Sequence, residues 1–407
     1  MTDPNNINSP AFLRKGGLLP QEEMLETARN KKKLKIGIPK ENHDIENRVA
    51  LTPESTGTLV EREHEVYVER NAGAPASYAD KDYSEHGGII TESKKEIYQC
   101  DVILKVAPPT LEEVELLKGD QVLISSLHFN NQLENFIKKL MEKKVTAIAF
   151  ENLKDDGDYY PIDRSMSELS GAASILIAAE YLSNVHKGKG VFLGGITGIT
   201  PAEVVILGAN TAGEYAARAA LGLGAQVKLF DNSNVKLRKI QNNLGQRLFT
   251  SVFHKRVLEK SLASADVVIG AIQNTGKGPR FCVSDDMVQK MKKGSVIVDI
   301  SINQGGCVET SECRTHKNPD FVKYGVIHYC IPNIPSRLAR TASIALSNVF
   351  APLIINLGEY GDIKNLLKDD VGIRHGVYVY KGILTNLFIG NTLGIPSKDI
   401  ELLMAAF

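Results

Sequence analysis

Residues 203–231, EVVILGANTAGEYAARAALGLGAQVKLFD, constrain the fold of this chain more than any other stretch. Val204 to Leu207 form a short apolar run, the pattern of a strand buried on both faces. Gly208-Ala209-Asn210-Thr211-Ala212-Gly213 follows at once, and the small side chains from Glu214 to Leu223 suit a helix lying close to a sheet. Gly224 closes that helix, and Gln226 to Phe230 make a second strand ending in Asp231. Strand, glycine turn, helix, strand and acid form a βαβ nucleotide-binding unit. In such a unit the turn (Gly208, Asn210, Ala212, Gly213) and the helix N-terminus face a pyrophosphate. Asp231 stands 18 residues after Gly213, placed to bond both hydroxyls of an adenosine ribose. Its carboxylate would repel a 2′-phosphate, which implies NAD rather than NADP. The pattern G-x-G-x-x-G has Asn210 at its middle glycine. Asn tolerates positive φ next best, and its amide is able to donate to a phosphate oxygen. The alternative reading is a βα turn that binds no dinucleotide.

At 407 residues the chain has room for two domains. Lys plus Arg and Asp plus Glu balance at 48 each, which argues against a nucleic-acid or membrane surface. The five cysteines are odd in number and lack metal-ligand spacing, so no metal site is expected. Reduced thiols fit a cytoplasmic protein. The N-terminus has no apolar core like that of a signal peptide, and no run reads as a membrane helix.

Other strands are read at 34–39 (LKIGIP), 65–68, 101–106 (DVILKV), 121–125 (QVLIS) and 145–150 (VTAIAF) in the first half. Later come 265–271, 295–300 and 326–330, the last taken as the final strand. A loop is expected at RSMSELSG, then a small-residue helix from Ala172 to Asn184, and a long apolar helix from Arg340 to Gly358 returns the chain to its first half. The fold class is α/β, two Rossmann-like doubly wound parallel-sheet domains joined by long helices. Residues 1–33 form an N-terminal arm, 34–170 with 345–407 a substrate domain, and 171–344 a dinucleotide domain. Arg48 follows the first strand and its loop, Lys105 sits near the end of another, and His128 lies just beyond a third. Ligands gather at strand C-termini in open parallel sheets, so these three can meet at one rim. Singly, each also fits a surface ion pair or a structural role; a lysine inside VILKV is the hardest to dismiss.

Seven separated motifs together resemble the alanine dehydrogenases, a family sharing its fold with the nucleotide-binding part of proton-translocating transhydrogenase. They are IPKENHDIENRVALTP, DVILKVAPP, LISSLHF, RSMSELSG, GKGVFLGGITGITPAEVVILGANTAG, VIVDISINQGG and HYCIPNIP, spanning Leu34 to at least Gly358. The resemblance implies reversible, NAD-dependent oxidation of L-alanine to pyruvate and ammonia. It implies that Arg48 holds the substrate carboxylate, that Lys105 contacts the carboxylate or keto oxygen, and that His128 moves protons. Ser167 would meet the cofactor phosphates, Asp231 the ribose, Lys236 the adenosine, and Asn333 the nicotinamide and substrate. A homo-oligomer, hexamer or dimer, is also implied. One position departs: the family reads I-D-Q-G-G where this chain has Ile302-Asn303-Gln304-Gly305-Gly306. Asn303 keeps the size of the catalytic aspartate but cannot take a proton. Two alternatives therefore stand: an NAD-binding relative with impaired catalysis, or a transhydrogenase-like or other amino-acid dehydrogenase.

Overall fold

The computed structural model describes residues 31–127, 132–272 and 282–405. The first half contributes β1 (Lys35–Ile38), β2 (Glu65–Glu69), β3 (Ile89–Thr91), β4 (Val102–Leu104), β5 (Val122–Ser125) and β6 (Thr146–Ala149). Then come β7 (Glu203–Leu207), β8 (Gln226–Phe230), β9 (Phe249–Ser251), β10 (Val267–Gly270) and β11 (Val296–Asp299). The last are β12 (Asp320–Lys323), β13 (Val326–Tyr329), β14 (Val377–Tyr380) and β15 (Ile383–Leu384). They make two sheets, ordered β15-β14-β6-β5-β4-β1-β2-β3 and β12-β13-β11-β10-β7-β8-β9. Both are Rossmann-like and parallel in their interiors. The central strands β4, β5, β6, β10 and β11 are buried at every residue, which is why they read as unbroken apolar runs.

Four of the five strands that the sequence leaves unread (β3, β9, β12, β15) are the sheet edges. Edge strands here are two to four residues long and half exposed, so they lack the apolar signal. The fifth, β14, corrects the reading of VIHYC as the final strand: it pairs antiparallel with β6, and β15 pairs antiparallel with β14. β12 likewise runs antiparallel to β13.

Two helices of 22 residues cross between the sheets, Pro161–Leu182 and Ala339–Tyr360. The loop expected at RSMSELSG is the start of the first. Pro161 preorganises the first turn, Asp163 complements its positive end, and Arg164 Nε donates to Glu168 Oε1 at 3.0 Å one turn on. The second carries Phe350 edge-on to Phe150, ring centres 5.4 Å apart. Ile334–Tyr360 is long and apolar enough to cross a membrane by length and composition alone. Its Leu346, Phe350, Ile354 and Leu357 belong instead to the core of the first sheet. Of the arm, only residues 31–33 are described; Lys32 N donates to Gly358 O at 2.9 Å.

Candidate functional site

The loop after β1 gathers the charged groups of the first sheet. Arg48 is 11% exposed and lies against Glu46, itself 3% exposed. Glu46 Oε1 accepts from Arg48 Nε at 2.8 Å and Oε2 accepts from Nη2 at 2.7 Å. Two-point pairing of this kind fixes the guanidinium plane. It occupies one edge of Arg48 and leaves the Nη1–Nη2 edge, where the Met166 sulfur sits 3.3 Å from Nη1. Burial pushes the Glu46 carboxyl up, but Arg48 and the Asn333 amide more than offset it and hold it below the usual carboxylate range.

Lys105, one residue past β4, is 4% exposed. Its Nζ donates to Glu41 Oε2 at 2.7 Å, and Glu113 Oε2 lies 3.8 Å away. Glu41 Oε1 accepts from Val106 N at 2.6 Å, so the glutamate holds both the lysine and the chain behind it. Burial raises the Glu41 carboxyl above its ordinary range despite Lys105. An ammonium has three donors, so Lys105 keeps hydrogens for a ligand oxygen.

Three serines of the return path fasten this loop. Asn47 N donates to Ser336 Oγ at 2.8 Å, Val49 N to Ser343 Oγ at 2.9 Å, and Thr52 N to Ser347 Oγ at 3.1 Å. Asn333 reaches the same loop, donating through Nδ2 to Glu46 Oε2 at 2.6 Å. Arg48, Asn333 and Glu46 thus form one cluster, with Lys105 and Glu41 beside it. His128 lies outside the described residues. Glu41, Glu46 and the serines were missed by sequence reasoning. The signals were there: a lysine in an apolar strand needs a carboxylate, and serines at 343 and 347 share one face of an apolar helix.

The second sheet presents the glycine turn between β7 and the helix Thr211–Gly222. Gly208 has φ +112°, and a Cβ on Gly213 would overlap the Gly208 carbonyl oxygen. Both glycines are therefore needed for the turn to close on its own backbone and on Ala271. Asn210 departs from its expected role. Its φ is −100°, and it is the helix N-cap, with Oδ1 accepting from Gly213 N at 3.0 Å. Its Nδ2 donates to Ala271 O at 2.7 Å, so the protein itself uses both ends of the amide. Asp231 is half-buried at the tip of β8, with Oδ2 accepting from Ala209 N at 2.7 Å and Oδ1 from Ser233 N at 2.8 Å. Each oxygen retains a lone pair, which suits ribose hydroxyls.

The linking helix comes so close to this turn that a Cβ on Gly171 would overlap the carbonyl oxygen of buried Ala212. Ser167, one helical turn earlier on the same face as Gly171, is half-buried. Lys236 is exposed, its backbone N–H capped by Ser233 Oγ at 3.3 Å. Asn303 is exposed on the short turn Ile300–Gln304 that follows β11. Buried Asp299 shapes that turn by accepting from Ser301 Oγ at 2.6 Å and Cys307 N at 3.2 Å.

Residues 37–170 match the alanine dehydrogenase/PNT N-terminal domain and 174–387 the corresponding C-terminal domain. Alanine dehydrogenase of Staphylococcus saprophyticus is 37% identical over 367 residues, covering 90% of this chain and 98% of the relative. Alanine dehydrogenase 2 of Staphylococcus aureus is 36% identical over 370 residues, covering 90% and 99%. A solved L-alanine dehydrogenase structure superposes with a TM-score of 0.82 at 35% identity, covering 88% of this chain and 99% of that one. A transhydrogenase structure from Sinorhizobium meliloti, at 23% identity and a TM-score of 0.74, shares the fold. The chain belongs to the alanine dehydrogenase/PNT family.

Proposed function

We propose that this chain is an NAD-dependent L-alanine dehydrogenase, converting L-alanine, NAD⁺ and water reversibly into pyruvate, ammonia (as ammonium), NADH and a proton. The observation that carries this reading is the Nη1–Nη2 edge of Arg48, set by Glu46 and met by the weakly accepting Met166 sulfur, with a half-committed Lys105 at the end of the neighbouring strand β4. On it, residues 34–170 with 345–407 are the substrate domain and 171–344 the NAD-binding domain. Gly208, Ala212, Gly213, Ser167, Asp231 and Lys236 hold the cofactor, while Asn210 shapes the turn rather than binding phosphate. NAD⁺ held by these residues would supply the acceptor for the hydride of Cα. Arg48 grips the carboxylate. Lys105 faces the oxygen on which negative charge grows when water adds to the iminium. His128 moves the protons, and Asn333 keeps Glu46 turned to Arg48. The enzyme is taken as cytoplasmic and as a homo-oligomer, hexamer or dimer. Exposed Val185, Phe192, Ile196 and Ile199 on one stretch of the second half suit a covered face. Formation of NADH on adding L-alanine, compared with NADP⁺ and with other amino acids, tests the reading. No turnover, or equal use of both nucleotides, overturns it.

Asn303 favours a second reading, an NAD-binding relative with impaired catalysis. An amide cannot take a proton, and acid–base groups typically contribute about 10²–10⁴-fold. Comparing kcat/KM for alanine between the natural chain and Asn303→Asp separates the two. A large gain from a very low starting rate supports impairment, and robust activity with no gain supports the dehydrogenase as it stands.

A further inference from the structure

His316 belongs to a segment that no motif marks, SECRTHKNPD, between the turn after β11 and the edge strand β12. The structure carries it across to the charged loop of the first sheet. Its neighbour Lys317 pairs with Asp44 at 2.6 Å, and Arg314 N donates to Cys330 O at 2.9 Å just ahead of the 333–335 turn. This brings the imidazole within electrostatic reach of Glu46, Arg48 and Arg337, with the Asn333 backbone beside it. Its Nε2 is buried and has no hydrogen-bond partner among the described residues. A buried polar atom without a partner costs about 1–3 kcal/mol, and at the edge of a ligand site the ligand is what satisfies it.

We propose that His316 contacts the substrate directly, its Nε2 accepting a hydrogen bond from the amino group of an amino acid whose carboxylate lies on Arg48. The inference rests on the amino-acid dehydrogenase reading above and deepens it. Asn303 has lost the carboxylate expected near the amino group, and an amino acid enters as an ammonium ion that must lose a proton before hydride can leave Cα. The step is a plain transfer: the N–H bond breaks, its electron pair stays on the amine, and the proton joins the His316 imidazole, which leaves His128 the protons of water addition and ammonia release. Charge around the ring suits this. Burial lowers the imidazole below its ordinary range; Glu46 and the Asn333 backbone pull it up, and Arg337 and Arg48 push it down. Lys317 is turned away to Asp44. The net shift leaves a neutral ring, able to accept, at neutral pH.

The test uses the full-length protein with NAD⁺. His316→Phe should lower kcat/KM for L-alanine at pH 7 by about 100-fold, within the range of general bases. The gap should narrow as the pH rises and the free amine becomes abundant. NADH affinity should stay unchanged. His316→Gln, which keeps an acceptor but takes no proton, should retain alanine affinity and lose turnover. The ring-proton NMR signal of His316, read without turnover, should move on adding L-alanine and not on adding propionate. Normal kinetics and pH profile in both variants, or a signal that ignores alanine in an active enzyme, overturns the assignment. A signal that moves in a protein without turnover instead overturns the dehydrogenase reading and leaves this contact standing.

Discussion

Arg48 and Lys105 reach their places as buried charges, each with a glutamate beside it, whereas the turn at residues 208–213 carries no charged side chain at all. The first region is pre-paired: Glu46 and Glu41 lie against the two cations and fix their orientation. The second works by omission, since its close turn depends on the Cβ atoms that Gly208 and Gly213 lack. A charge removed from one region should therefore damage stability, and a carbon added to the other should damage binding.

The largest effect is expected at Glu46. Glu46→Ala strands a buried guanidinium, and breaking a buried pair costs about 3–5 kcal/mol. Denaturant unfolding should show it, and a loss below about 1 kcal/mol would mean that the pair is solvent-screened after all. Glu151 sharpens the contrast because it is a half-buried carboxyl with no cation paired to it among the described residues. Its Oε1 accepts from Leu127 N at 2.7 Å, its Oε2 has no partner among the described residues, and burial pushes it up to about 7. A raised carboxyl favours folding while it stays protonated. That contribution is complete below the ordinary value of 4.5 and is lost as the pH rises towards about 7. The drop is about 3 kcal/mol at most, and Glu151→Gln should flatten it in unfolding curves across that window. A variant curve parallel to the natural one would assign the pH dependence elsewhere.

On the other side of the comparison, Gly213→Ala adds one carbon into the Gly208 carbonyl. NADH affinity should fall by about 100-fold or more, about 2.7 kcal/mol, as read by fluorescence titration. Undiminished binding would show that the turn is not the cofactor's seat. The smallest effect is expected at Asn210. Asn210→Gly removes an N-cap, a loss of a few tenths of a kcal/mol, and should change NADH affinity by less than about threefold. A large gain in affinity would restore the expectation that its side chain stands in the way of phosphate.

The same contrast explains what could be read without coordinates. The glycine turn announces itself because its constraint is local: residue types at fixed spacing, followed by Asp231 at the right distance. The interior strands are legible for a similar reason, being buried on both faces along their length. The partners of Arg48 and Lys105 are not local. Glu41 lies 64 positions from Lys105 and Ser343 lies 294 from Val49, so only the folded chain shows that they meet. Asn210 misled because it resembles a substitution within the motif, while its geometry belongs to the helix it caps.

The closing of β14 onto β6 governs how the chain must be made. Thr146 to Ala149 are all buried in the finished sheet, yet their antiparallel partner arrives with Val377 to Tyr380. During synthesis, β6 is an open apolar edge until more than two hundred further residues have left the ribosome, while the second sheet has everything it needs. Unpaired edges of this kind seed misassociation. The second sheet can therefore complete first, and a nascent chain stalled before residue 377 would carry a folded nucleotide-binding half beside an unsealed, aggregation-prone one.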